Sequence, residues 1–188
     1  MTSAEPTPAG CTKVAKPKAK DVKLAKPNTK LDPAKTYVAT VETNCGTFAF
    51  KLDVKNAPNT TASIAYMAGK HLYDGTFFHR IVPDFVIQGG DPTGKGQGGP
   101  GYSTVDKPPS NTKYTKGVVA MAKTGAEAPG TSGSQFFVVT GADAGLPPDY
   151  AAVGKVTKGL DVVERIGKLG DQSEHPTFTV VIKSFRVG

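Results

Sequence analysis

With 188 residues, 38% of them hydrophobic and 21% charged, the chain has enough apolar material for one core and too little length for two. It carries 22 Gly, 15 Pro and no Trp, which favours tight turns and short strands over a helix bundle, since Gly and Pro both disfavour helix interiors. The formal charge of +7 divides unevenly: residues 1–35 hold eight Lys against three acids, a net of +5, leaving only +2 for the rest, so a basic nucleic-acid groove on the folded surface is unsupported.

Residues 1–35 also hold five Pro and no aromatic residue. Such a Lys/Pro/Ala-rich segment buries too little apolar surface to offset its ordering entropy, so it reads as a flexible arm or linker. No apolar run in the sequence has the length of a membrane span, and the opening MTSAEPTPAG has no signal-peptide core. The two cysteines, Cys11 in the arm and Cys45 at the root of the domain, leave two readings open. Either they form a disulfide, worth ~3 kcal/mol in an oxidising compartment, or they are two free thiols.

From Thr36 the pattern alternates. Thr36 to Thr43 and Thr47 to Val54 read as strands, the second with Phe48, Phe50, Leu52 and Val54 on one face, and Asn44-Cys45-Gly46 between them as a hairpin turn. Pro58 presets a helical turn, with Ile64, Met67 and Ala68 as its stripe and Gly69 as its stop. Short apolar runs follow at Phe85 to Ile87, Val118 to Ala122, Phe136 to Thr140 and Ala151 to Val156. A second helix is predicted over Leu160 to Ile166, and Phe178 to Val187 closes the chain as a long strand. Many strands with two helices predict a mainly β fold, a closed antiparallel barrel capped by helices, because closure removes exposed edges.

Several motifs lead nowhere. Gly94-Lys95-Gly96-Gln97-Gly98-Gly99 fits GxGxxG, but Pro100 and Gly101 follow at once and no helical stripe begins, so it reads as a loop. Ser132 and Ser134 have no evident base, and His71, His79 and His175 lack metal-ligand spacing, so neither a serine nucleophile nor a metal or cofactor is expected. FHRIVPDFVIQGGD, residues 78–91, is different: it sets Arg80 on an otherwise apolar stretch, where a cation must be paired or aimed at a ligand. No carboxylate partner is evident nearby; taken alone, a salt bridge and a core Phe85 explain the stretch equally well.

Joined with MAKTGAEAPGTSGSQFFVVT, residues 121–140, that stretch resembles the cyclophilin family of peptidyl-prolyl cis/trans isomerases. FHR, P-x-F-x-x-QGGD and GSQFF stand in the family's order, and the resemblance runs from about Thr36 to the C-terminus, dividing the chain into an arm, 1–35, and an isomerase domain, 36–188. It implies an eight-stranded antiparallel barrel with two capping helices and a peptide groove on its outer wall. It implies Arg80 and Gln88 as catalytic residues, Phe85, Val86, Phe137 and Leu146 as walls of a proline pocket, and Ala122, Lys123, Gln135 and Tyr150 as groove residues. Gly145 replaces a common rim Trp, Tyr150 a common His, Val86 a common Met and Lys123 a common Asn. Loss of the Trp weakens the expectation of cyclosporin binding.

The implied activity is catalysed X-Pro rotation in unfolded or flexible protein segments, assisting folding, without cofactor, metal or nucleic acid. The alternative is a proline-binding module or holdase with weak turnover. His79, although beside Arg80, is expected to be a structural hydrogen-bonding residue, since the reaction transfers no proton. A monomer is expected, in an extracytoplasmic or membrane-tethered setting, touching membrane only through the arm or an anchor; a cytoplasmic one is the alternative. If the arm is only a tether, deleting residues 1–35 leaves turnover unchanged.

Overall fold

The computed structural model describes residues 6–188. Alternation builds the first ladder: β1 (Val38–Thr43) buries Ala39, Val41 and Thr43 and exposes Thr40 and Glu42. β2 (Gly46–Leu52) returns beside it with Phe48 opposite Val41, through the predicted turn. α1 (Pro58–Gly69) opens on its proline, and the buried Asp106 carboxylate accepts the Thr60 N–H (2.6 Å), satisfying an otherwise orphaned amide of the first turn. β3 (Arg80–Val82) and β4 (Val86–Gly89) form a tight hairpin. β5 (Thr104–Val105) pairs outside the main sheet with β7 (Thr131–Ser132) and packs against α1. β6 (Val118–Met121), β8 (Phe136–Val139) and β9 (Ala152–Lys158) join the main sheet. α2 (Leu160–Gly167) starts after Gly159, whose φ of 74° and approach to the Thr47 carbonyl admit no side chain, and β10 (Ile182–Val187) ends the chain.

The main sheet is antiparallel, in the order β10-β1-β2-β9-β6-β8-β4-β3, with α1 against β10 and α2 against β2, β3 and β4. It does not close, which corrects the predicted barrel to an open eight-stranded sheet. The edge strands β3 and β10 share no ladder; the isolated bridge of Phe77 with Val181 stands at the seam. The last strand is also shorter than Phe178 to Val187, for a visible reason. Asn44 Oδ1 accepts the Val181 N–H (2.7 Å), Asn44 Nδ2 donates to the Thr179 carbonyl (3.0 Å), and the Val180 carbonyl accepts the Phe78 N–H (3.0 Å). Backbone groups that would have extended a ladder are already engaged.

The sheet separates two apolar clusters. Ile81, Ile87, Val119, Phe136 and Val138 face the main core with Phe48, Phe50, Phe78 and Phe185, each such burial contributing ~1.5–3 kcal/mol. Their neighbours along the same strands, Val86, Ala120, Phe137 and Val139, face the other way and form a smaller cluster with Tyr114.

Residues 6–35, expected as a flexible arm, lie along the domain as an extended strap. Cys11 and Cys45 form a disulfide, resolving the choice left by the sequence. Pro8 and Gly10 (φ 77°) turn the chain just before it, the Cys11 N–H reaching the Pro8 carbonyl (3.1 Å). Val22, Leu24 and Leu31 pack on the core. Between them and the turn, Pro8, Cys11, Val14, Pro17 and Lys20 are half-buried, each separated by two exposed residues. That period of three lays one side of the strap against the domain and leaves the other two thirds of its residues in solvent.

Candidate active site

Residues directly opposite in an antiparallel pair share a face of the sheet. Arg80 on β3 stands opposite Gln88 on β4, Gln88 opposite Phe137 on β8, and Phe137 opposite Ala120 on β6. Register alone therefore lays a guanidinium, an amide, a ring and a methyl in one line across the outer face. The next line, Ile81, Ile87, Val138 and Val119, points into the core.

Around this line lies an open cavity of about 200 Å³ lined by Arg80, Phe85, Val86, Gln88, Ala122, Lys123, Phe137, Leu146 and Tyr150. Nine of the ten residues singled out from the sequence meet there. The tenth, Gln135, lines an adjoining cavity of about 180 Å³ with Gln88, Ala122, Lys123 and Gly98.

The arginine is held at two points. Nε donates to Glu174 Oε2 (2.7 Å) and Nη1 to Gln88 Oε1 (3.2 Å), while Cζ sits 5.9 Å from the Phe85 ring centroid, within cation–π range. Among the described residues nothing engages Nη2. Its hydrogen-bonding capacity is free for a ligand in the cavity. A hydrogen bond from Arg80 holds the Glu174 carboxyl below the usual carboxylate range. Sequence reasoning missed Glu174, which lies 94 positions from Arg80 in a turn of unremarkable composition. Its backbone is anchored too, the Ile81 N–H donating to its carbonyl (3.2 Å).

From Gln88 the polar chain continues. Gln88 Nε2 donates to Gln135 Oε1 (3.2 Å), and Gln135 Nε2 donates to the Gly98 carbonyl (3.0 Å). Beneath the apolar end lies Tyr114, also missed: its buried hydroxyl donates to the Tyr150 carbonyl (2.6 Å) and accepts the Tyr150 N–H (3.0 Å). Burial pushes its pKa up, so it stays a neutral donor. The Tyr150 ring meets Phe137 edge-on at 5.6 Å, and Lys123 Nζ lies 5.5 Å from its centroid.

His79 departs from expectation. Its Nδ1 is buried and forms no hydrogen bond among the described residues. Burial lowers its pKa, so the imidazole is neutral at pH 7, with Asp91 pulling the other way. The Gly94 to Gly99 stretch is a loop with no helix after it, and Ser134 Oγ is occupied by the Gly90 carbonyl (2.7 Å).

The profile of the family "Cyclophilin type peptidyl-prolyl cis-trans isomerase/CLD" matches residues 38–187, nearly all of the chain outside the strap. The chain belongs to the cyclophilin family. This cyclophilin is 41% identical over 152 residues to peptidyl-prolyl cis-trans isomerase-like 1 of Neurospora crassa, covering 78% of this chain and 91% of that protein. It is 37% identical over 174 residues to peptidyl-prolyl cis-trans isomerase A of Mycobacterium tuberculosis, covering 82% and 94%. A crystal structure of a Cryptosporidium parvum cyclophilin-type isomerase superposes with a TM-score of 0.75 at 30% identity over 82% of this chain and 98% of that one. A second structure of that protein, in the presence of the dipeptide Ala-Pro, gives 0.73 at 29% identity, with 80% and 98% covered. Where the cyclophilin rim commonly carries Trp, Gly145 leaves open space, with no atom within 4 Å of where a Cβ would stand.

Proposed function

We propose that in this peptidyl-prolyl isomerase Arg80 is the catalytic residue, Gln88 fixes both its aim and the peptide flank, and Phe85, Val86, Phe137 and Leu146 hold the proline ring. An X-Pro bond rotates slowly because amide resonance raises a barrier of ~18–20 kcal/mol. At the twisted transition state the prolyl nitrogen regains a lone pair, and a guanidinium N–H can donate to it. The planar amide offers no comparable acceptor, so the interaction is made mainly at the twist, as catalysis by differential binding requires.

One charge-assisted hydrogen bond, ~1.5–3 kcal/mol, is too small alone for a turnover on the order of 10³ per second, which needs roughly 7 kcal/mol. The apolar walls supply the remainder by immobilising the ring and desolvating the amide, whose charge-separated planar form water stabilises. The observation that carries this reading is the anchoring of Arg80 at Nε and Nη1 beside an apolar cavity, with Nη2 left over. The Ala-Pro dipeptide with the Cryptosporidium parvum relative supports a proline-containing peptide as ligand.

The open groove suits flexible proline-containing segments of other proteins. Cyclosporin binds weakly for want of a rim indole. The chain works outside the cytoplasm, a setting supported by the Cys11–Cys45 disulfide, since such bonds persist in oxidising compartments. Two-dimensional exchange NMR on an Ala-Pro peptide tests the assignment. Catalytic amounts of protein should produce cis–trans exchange peaks, with peptide-induced shifts centred on Phe85, Phe137 and Leu146; a peptide that binds elsewhere, or no exchange, refutes it.

A further inference from the structure

The strap, which the family profile leaves out, grips the loop on which the polar chain of the site ends. That loop, residues 92–101, contains Gly94, Gly96, Gly98, Gly99 and Gly101, three of them at positive φ, so its backbone has little intrinsic preference for the conformation it holds. Inside, the Asp91 carboxylate organises it, accepting the N–H groups of Thr93 (2.8 Å) and Gly96 (2.5 Å). Outside, the strap takes both its ends: the Lys20 N–H donates to the Pro92 carbonyl (2.8 Å) and the Leu24 N–H to the Pro100 carbonyl (2.7 Å). Lys20 Nζ, half-buried, donates to the Leu72 and Asp74 carbonyls (3.0 and 2.5 Å), which fastens this part of the strap to the body of the domain. The strap is fastened at its root by the disulfide and by Thr12, whose N–H and carbonyl both pair with Asn44 (2.7 Å each).

From this loop the Gly98 carbonyl holds Gln135, Gln135 holds Gln88, and Gln88 holds Arg80. We propose that the strap is a positioning element for the catalytic arginine, acting through the 92–101 loop, and that the Cys11–Cys45 disulfide keeps it engaged, so that reduction lowers turnover. The proposal rests on the assignment of Arg80 and Gln88 above, and it gives the arm a role beyond that of a tether. Without the disulfide the free end of the strap loses its covalent anchor, and the segment from Cys11 through Lys20 and Leu24 opens more often, breaking its hydrogen bonds to the Pro92 and Pro100 carbonyls. The glycine loop then samples other conformations, and the amide that orients Arg80 loses its own support.

The test compares the oxidised full chain with the same chain reduced by dithiothreitol and with Cys11→Ser, measuring kcat and KM by exchange NMR on an Ala-Pro peptide and amide hydrogen exchange in parallel. Reduction and Cys11→Ser should each lower kcat about fivefold with KM little changed, while the 94–101 amides exchange about tenfold faster and those of β1 and β8 keep their protection. In a Gln135→Ala background, where the chain to Arg80 is already broken, reduction should leave kcat unchanged. Leu24→Pro, with the disulfide intact, deletes one strap-to-loop donor together with the packing of Leu24 on the core, and should lower kcat below that of Leu24→Ala, which loses the packing but keeps the donor, even if the reduced protein is too unstable to assay. A kcat unchanged on reduction and no lower in Leu24→Pro than in Leu24→Ala, or an equal fall in the Gln135→Ala background, overturns the proposal. An active Arg80→Ala variant would instead overturn the site assignment beneath it.

Discussion

Replacing Glu174 by alanine removes the carboxylate that accepts the Arg80 Nε–H at 2.7 Å and leaves the guanidinium tied only to Gln88. The magnitude follows from exposure. The two side chains are 33% and 49% exposed, so solvent screens the pair into the range of surface ion pairs, ~0.5–1 kcal/mol. If that energy serves to hold Nη2 toward the cavity, losing it lowers kcat about two- to fivefold, with KM nearly unchanged because no peptide contact is lost. Glu174→Gln keeps a neutral acceptor and should fall less. The pH dependence has a definite sign. The Glu174 carboxyl titrates below its ordinary 4.5, so the advantage of wild type over Glu174→Ala is constant from neutral pH down to that value and is lost as pH falls through the lower, folded-state value. Exchange NMR on an Ala-Pro peptide supplies both constants. An unchanged or raised kcat in Glu174→Ala refutes an orienting role, since removing the negative charge by itself strengthens the field of the guanidinium.

Two further outcomes are expected. Gly145→Trp restores an indole where the rim is open; the Cβ meets nothing within 4 Å, and the φ of 63° costs about 1–2 kcal/mol in an exposed loop, so the variant folds. Calorimetry should show cyclosporin binding about tenfold more tightly than to wild type, and equal affinity contradicts the account of the rim. His79, held below its ordinary 6.5 by burial, takes up its proton more readily in the unfolded chain. Its contribution to stability is full above pH 6.5 and declines as pH falls below that value, so the urea midpoint of wild type should drop between pH 7.5 and pH 5.5 by more than that of His79→Gln; parallel profiles exclude His79 as the cause.

The parts of this protein visible in its sequence are those set by short-range periodicity. Alternation at Phe48, Phe50 and Leu52 located β2, and Pro58 and Gly69 bracketed α1; Arg80, Gln88 and Phe137 were named only through the resemblance of FHR, QGGD and GSQFF to the cyclophilin family, and strand register then lines them up on one face. What stayed hidden depends on distant pairings. Glu174 reaches Arg80 across 94 positions, and Tyr114 reaches the Tyr150 backbone across 36, with no local pattern to mark either. The β1–β10 ladder stops at Ile182 because Asn44, in a turn 137 residues away, takes the Val181 amide. The strap left a trace that composition obscured: Pro8, Cys11, Val14 and Pro17 recur every third residue, and counting lysines does not reveal that these four share the half-buried side.

The most direct measurement is the turnover of Arg80→Ala on an Ala-Pro peptide, by exchange NMR, beside its peptide affinity. With the cavity walls intact, peptide binding should persist while kcat falls about 100-fold, the loss of one charge-assisted hydrogen bond made at the twisted amide. Turnover within a few-fold of wild type would contradict the assignment of Arg80 as the catalytic group.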